Sequence, residues 1–315
     1  MQLTTDELNK LSQLALQAAK ISGEYIRGFD RSQLETHYKA AGNSQSAQVV
    51  TEVDFACQKI ILDILQESVE QYDLAVLSEE NCSEARAHLH PRLYKDYFWC
   101  IDPLDGTLPF IESGKGYAVS IALVSQRGQP IVGVIHHPPS NTSFHTHIGK
   151  DGITRGYKNG LALPPKPYDI ELSKTSKQTF TFYSDRSFKA HAQYQSIVNQ
   201  LRKLAEELGY QHVEIQESHG AVINALSVIE TNSDNAACYI KLPKAQIGGG
   251  SLWDFSATAC FAKATNTWVS DINGAPLDLN RQDSNYMNHK GVLYVSDQSL
   301  AKCIIQVCSE LNSKD

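Results

Sequence analysis

The sequence predicts a mixed α/β protein, with an α+β first half and an alternating α/β second half. Three observations carry that expectation. Apolar residues recur at helical spacing in 5–28 and again in 52–72. Short apolar runs joined by turn residues then continue to about residue 157. Past a proline-rich stretch at 161–166, strand-like and helix-like segments alternate to the end. The same stretch suggests two domains, 1–165 and 166–315.

The elements follow in order. In 5–28, Leu8, Leu11, Ala15, Ala18, Ala19, Tyr25 and Ile26 form one face, Thr4 with Glu7 fits a capping box, and Gly28 can end the helix. Residues 30–49 are polar and irregular and read as a mobile surface loop, loosest at 41–44. A second helix over 52–72 buries Val53, Cys57, Ile60, Ile61, Ile64 and Leu65. Its start, Thr51-x-x-Asp54, is itself a capping-box pattern. A strand at 74–77 runs into Ser78-Glu79-Glu80-Asn81, and 82–96 reads as a loop with a helical turn. Strands at 117–125 and 130–137 are joined by a tight turn, and 144–148 and 153–157 make the next pair. The second half offers strands at 180–183, 211–216, 236–241, 267–270 and 292–295. Its helices fall at 187–208, 220–230, 252–265 and 297–311.

Composition narrows the function. Hydrophobic residues make up 42% and charged residues 20%, an ordinary globular balance. The formal net charge is -7 with no long basic run, which argues against a nucleic-acid polymer as partner. No apolar stretch approaches the ~18 residues of a membrane span. The N-terminal residues lack a basic start and an apolar centre, so no secretory signal is expected there. The seven cysteines are scattered without a CxxC pair, as in a reduced, cytoplasmic protein.

The stretch that carries chemistry is Trp99-Cys100-Ile101-Asp102-Pro103-Leu104-Asp105-Gly106-Thr107. An apolar run ends abruptly at two aspartates three residues apart. Burying both as anions is costly, and a shared cation relieves that cost. A hard ion such as Mg2+ takes oxygen ligands and substrate phosphate together. Gly106 and Thr107 add a backbone N–H and a hydroxyl suited to phosphate oxygens. Asp-Pro-x-Asp-Gly also suits a plain turn. Glu79-Glu80 after a strand suits a solvated surface, and Asp254 at a helix start suits the helix dipole. No Gly-x-Ser-x-Gly elbow is present. His145-x-His147 would share a strand face, and so would His88-x-His90 if extended, but no further zinc ligand has a recognisable spacing. His136 and His137 must point to opposite faces.

Four blocks taken together resemble the inositol monophosphatase superfamily, which includes the 3'(2'),5'-bisphosphate nucleotidases. They are Val50-Thr51-Glu52-Val53-Asp54, Ser78-Glu79-Glu80-Asn81, the block from Trp99 to Thr107, and Leu252-Trp253-Asp254-Phe255-Ser256-Ala257. The match runs from about residue 50 to about 280. The resemblance implies a layered α-β-α-β-α sandwich and lithium-sensitive, Mg2+-dependent hydrolysis of a small-molecule phosphate ester. It implies two or three Mg2+ ions held by Glu79, Asp102, the Leu104 carbonyl, Asp105 and Asp254. Asp54, Glu79 and Thr107 would activate water, and Gly106, Thr107, Gly220 and Ala221 would meet the substrate. Family members often form homodimers, so a homodimer is an expectation here too.

The pattern departs from the family after Thr107, where Leu108-Pro109 stands in place of the polar pair usual in inositol phosphatases and the lysine frequent in nucleotidases. Gly220-Ala221-x-x-Asn224 is similar to the inositol branch. Phe110-Ile111, the Ser120 to Leu123 segment and Lys241-Leu242-Pro243 are similar to the nucleotidase branch. Lys241 and Arg186 are the candidate contacts to substrate anions, and the expectation leans to a bisphosphate nucleotide.

Overall fold

The structure is a computed structural model and describes residues 2–34, 36–38, 49–112, 114–167 and 178–312. Helices and sheets stack as α-β-α-β-α, each layer covering an apolar face of the next.

The first layer is α1 (Thr5–Gly28) and α2 (Glu52–Gln71), each opened by a capping box, Thr4 with Glu7 and Thr51 with Asp54. Leu11, Ala15, Ala18 and Ile26 of α1 and Val53, Cys57, Ile61 and Leu65 of α2 form one apolar cluster with the sheet below. Tyr25, expected on that face, is 38% exposed and packs its ring on Phe29 instead. Between the helices, β1 (Thr36–Tyr38) pairs antiparallel with β2 (Val49–Thr51), where a loop was expected across 30–49. Backbone pairing needs no apolar alternation, so the pattern gave no sign of it. Residues 41–44, expected to be its loosest part, lie outside the described residues.

The second layer is a sheet of seven strands among the described residues, in sequence order. They are β3 (Ala75–Ser78), β4 (Tyr97–Asp105), β5 (Ala118–Ser125), β6 (Pro130–His137), β7 (Thr142–Ile148), β8 (Thr154–Lys158) and β9 (Leu161–Ala162). β3 and β4 run parallel, and every later pair is antiparallel. Trp99 and Ile101 of β4 face α1 and α2, while Phe98 and Cys100 face the opposite side. A strand covered on both faces reads as one unbroken apolar run. His88-x-His90 is not extended, because Glu84–Leu89 forms a 3-10 helix.

The middle layer is α5 (Ala221–Glu230) and α6 (Leu252–Ala264). Beyond it lies a five-stranded sheet, ordered β11 (His212–Gln216), β10 (Thr179–Tyr183), β12 (Ala236–Lys241), β14 (Val292–Val295), β13 (Trp268–Ser270). Ala237 and Tyr239 face the middle helices, and Cys238 and Ile240 face the outer layer, α4 (Tyr194–Glu207) and α7 (Gln298–Asn312). The helix expected at 187–208 is shorter than its pattern. A 3-10 turn at Arg186–Ala190 precedes it, and α4 begins only at Tyr194. Asp185, which could have capped a longer helix, makes no capping bond there and spends its carboxylate on Tyr239 and Lys241.

Candidate metal centre and active-site cleft

The central strand places the first two acids. Residues three apart on a regular strand point to opposite faces. Pairing of β4 with β5 shifts register between Asp102 and Asp105, with three steps on β4 against two on β5. That bulge turns both carboxylates to one side. The third acid, Asp254, stands in the first turn of α6, where its Oδ2 accepts from the Ser251 N–H at 2.9 Å. Ser120 on β5 donates to the Trp253 carbonyl at 3.1 Å and docks that helix start on the sheet.

Carboxylate oxygens of Asp102, Asp105 and Asp254 lie within 4.8 Å of one another. Asp102 is 1% exposed and Asp105 7%. Burial, then the charge of Asp254, holds the Asp105 carboxyl well above the usual carboxylate range, against the pull of the Val222 and Ala221 N–H groups and of Lys241. Burial also pushes Asp254 up to about 6, with Lys241 opposing and Glu79 reinforcing the rise, and a hydrogen bond links it to Asp102. Such a cluster cannot hold all its negative charge by itself. Its donors are all hard oxygens, the set that suits Mg2+ and related cations and not zinc or copper.

The cluster floors a cleft of about 370 Å³. Glu79 and Glu80 line it and are half-buried, not solvated surface glutamates. Leu104 lines it too, and the Thr107 hydroxyl reaches its carbonyl at 3.3 Å. The same hydroxyl lies 3.2 Å from Asp54 Oδ1. Asp54 Oδ2 accepts from both the N–H and the hydroxyl of Thr51, at 2.8 and 2.6 Å. Asp54 therefore caps α2 with one oxygen and meets Thr107 with the other.

Gly106 (φ 86) caps α3 (Thr107–Ile111), which aims Thr107 at the cleft. Gly220 and Ala221 line the cleft at the start of α5. The N–H groups of Ala221 and Val222 donate to Asp105 at 3.1 and 2.8 Å. A Cβ on Gly220 would come within 2.4 Å of Asp105 Oδ2, so only glycine allows this approach.

On the far wall, Lys241 is 9% exposed, with Nζ 2.7 Å from Asp185 Oδ2. Burial works against its charge, but Asp185, Asp254 and Asp105 together raise its pKa above the ordinary lysine range. Arg186 lines the cleft and pairs with Glu112 through both terminal nitrogens, at 2.7 and 2.6 Å. Sequence reasoning missed Asp185 and Lys244, which also line the cleft. Asp185 ends a strand as Glu79 does, a signal that was available. Lys244 had no motif to flag it. His145 and His147 both lie against Tyr157, with ring centroids 5.2 and 6.0 Å away, and neither belongs to a group of three possible metal ligands among the described residues.

The layered fold and the oxygen-only acidic pocket are those of a metal-dependent hydrolase of phosphate monoesters. A family model, the inositol monophosphatase family, matches residues 7–313, and the chain belongs to that family. The 3'(2'),5'-bisphosphate nucleotidase CysQ of Aggregatibacter actinomycetemcomitans is 27% identical over 282 residues, 90% of each chain. The CysQ nucleotidase of Salmonella typhimurium strain LT2 is 35% identical over 245 residues, 76% of this chain and 83% of that one. The inositol monophosphatase from Anabaena sp. PCC 7120 superposes with a TM-score of 0.65 at 20% identity, covering 96% of each chain. No described helix is long and apolar enough to cross a membrane.

Proposed function

We propose that this chain is a Mg2+-dependent phosphomonoesterase that removes one phosphate from a small bisphosphorylated nucleotide. The observation that carries the hydrolytic part is the buried cluster of Asp102, Asp105 and Asp254 beside the Thr107–Asp54 pair, with the Asp105 and Asp254 carboxyls pushed up in pKa. The nucleotide part rests on the similarity to the two CysQ nucleotidases and on the cations of the far wall.

In this reading Glu79, Asp102, the Leu104 carbonyl, Asp105 and Asp254 hold the metal. Bound there, Mg2+ would polarise the phosphoryl oxygens and lower the pKa of a coordinated water. Asp54, fixed by Thr51, accepts the Thr107 hydroxyl proton. As the attacking water gives a proton to the Thr107 oxygen, Thr107 passes its own to the Asp54 carboxylate, where that proton ends. Oxygen attack on phosphorus breaks the P–O ester bond, and the leaving alkoxide takes its proton from solvent. Gly106 and Thr107 at the start of α3 steady the phosphate, Gly220 and Ala221 shape the wall beside it, and Arg186 and Lys241 add positive charge. Seven free cysteines fit a reducing cytoplasm, and the family reading carries lithium inhibition and a homodimer with it.

Inositol phosphate is the second reading, favoured by Gly220-Ala221-x-x-Asn224, whose Asn224 Nδ2 reaches Asp185 at the cleft wall. A phosphate-release panel decides between them. The substrates are 3'-phosphoadenosine 5'-phosphate, inositol 1-phosphate and fructose 1,6-bisphosphate, each with Mg2+ and with added Li+. Fastest release from the nucleotide is the expected result. Fastest release from inositol 1-phosphate would overturn the substrate assignment. No release from any substrate, with retained binding, would make the chain a phosphate-ligand sensor.

A further inference from the structure

Ion pairing decides which cation of the far wall is free to meet a ligand. Arg186 is engaged with Glu112, and Lys241 with Asp185. Lys244 is half-buried at the same cleft, and no described carboxylate pairs with it. Burial and the charge of Lys241 lower its pKa, with Asp185 partly offsetting them. An ammonium held this way gains from an incoming anion.

Its surroundings are built in advance. The Lys244 N–H donates to the Asn288 carbonyl at 2.9 Å, and Asn288 Nδ2 returns bonds to the carbonyls of Lys244 and Gln246 at 3.2 and 3.1 Å. Arg281 holds Asn288 Oδ1 at 3.0 Å. The chain then turns through Gly248, Gly249 and Gly250 at φ 127, 77 and 82, a run that only glycine adopts without strain. All three line the cleft, and among the described hydrogen bonds their N–H groups donate to nothing. A Cβ on Gly248 would lie 2.8 Å from Lys244 Nζ, and one on Gly250 2.8 Å from Lys241 Nζ. Two ammonium groups therefore flank bare backbone. Successive free amides in such turns make anion-binding concavities.

We propose that Lys244 and the amides of Gly248–Gly250 form a second anion subsite, which takes the non-reacting phosphate of a bisphosphorylated substrate. Lys241 then serves mainly to balance Asp185, Asp105 and Asp254. This inference rests on the phosphomonoesterase reading above and names what sets its substrate.

The test compares adenosine 3',5'-bisphosphate with adenosine 3'-monophosphate as substrates of the Mg2+-loaded full chain. Lys244→Gln should raise KM for the bisphosphate about tenfold, the loss of one charge-assisted hydrogen bond, and leave kcat unchanged. KM for the monophosphate should stay within about twofold, because that substrate lacks the second phosphate. Lys244→Arg should restore most of the difference. Calorimetric binding of the bisphosphate to metal-free protein should weaken by a similar factor and become less salt-dependent. An equal effect of Lys244→Gln on both substrates, or none on either, would overturn the subsite and leave the phosphatase assignment standing. No phosphate release by the parent from either substrate would instead remove the reading beneath it.

Discussion

The two walls of the cleft are built differently. The acidic wall hangs from the large sheet, with Asp102 and Asp105 on β4 and Glu79 just after β3, and α6 brings Asp254 beside them. Its residues sit in compact motifs, and one bulge plus one helix start brings them together. The opposite wall hangs from the smaller sheet. Its Asp185, Lys241 and Lys244 follow β10, end β12 and lie in the turn after β12, and an ion pair joins the first two. The difference teaches that, in the proposed reading, the chemistry belongs to the wall where local motifs are dense and the choice of substrate to the wall where separate strands converge.

The strongest way to break the comparison is to remove a charge from the acidic wall. Asp105→Asn should keep the fold, since the shape is unchanged and the amide oxygen still accepts from one of the Ala221 and Val222 N–H groups, and should lose about 10³-fold or more in kcat. Retained turnover in a phosphate-release assay would place the chemistry elsewhere. Thr107→Val keeps the volume and removes the hydroxyl between Asp54 and the cleft. It should cost about 10²-fold in kcat with little change in KM. A change confined to KM would make Thr107 a substrate contact only. On the opposite wall, Arg186→Gln should shift KM by only about threefold, because Glu112 already competes for the half-exposed guanidinium.

The smallest effect concerns acid stability, which must be separated from the pH dependence of the chemistry. His136 on β6 lies under α1 at 1% exposure, with Nδ1 2.8 Å from Ser143 Oγ. Burial, then the charges of Arg27, Lys20 and His137, lower its pKa to about 4. A depressed histidine binds fewer protons folded than unfolded. The stability it permits is therefore complete above about pH 6.5 and is lost as pH falls toward 4. The urea midpoint of the parent should fall across that window, and His136→Gln should flatten the fall. An unchanged slope would assign the acid limb to other groups.

Much of the fold was legible because burial on both faces leaves long apolar runs, as in β4, and burial on one face leaves helical periodicity, as in α1 and α2. The paired β1 and β2 escaped notice, since their hydrogen bonds need no apolar pattern. The late start of the helix expected at 187–208 also escaped, because Asp185 is drawn to Tyr239 and Lys241 on β12. Asp54 had two readings in the sequence, cap or catalytic partner, and its two oxygens make both contacts at once.

By itself the sequence determined the layers and the acid motifs, since both follow from short-range pattern and residue chemistry. The tertiary structure alone decided which carboxylates share a centre, because a bulge sets the facing of Asp102 and Asp105. It also decided which cleft lysine pairs with a carboxylate among the described residues, because a charge is spent or available according to its neighbours in space, and those neighbours lie far apart along the chain.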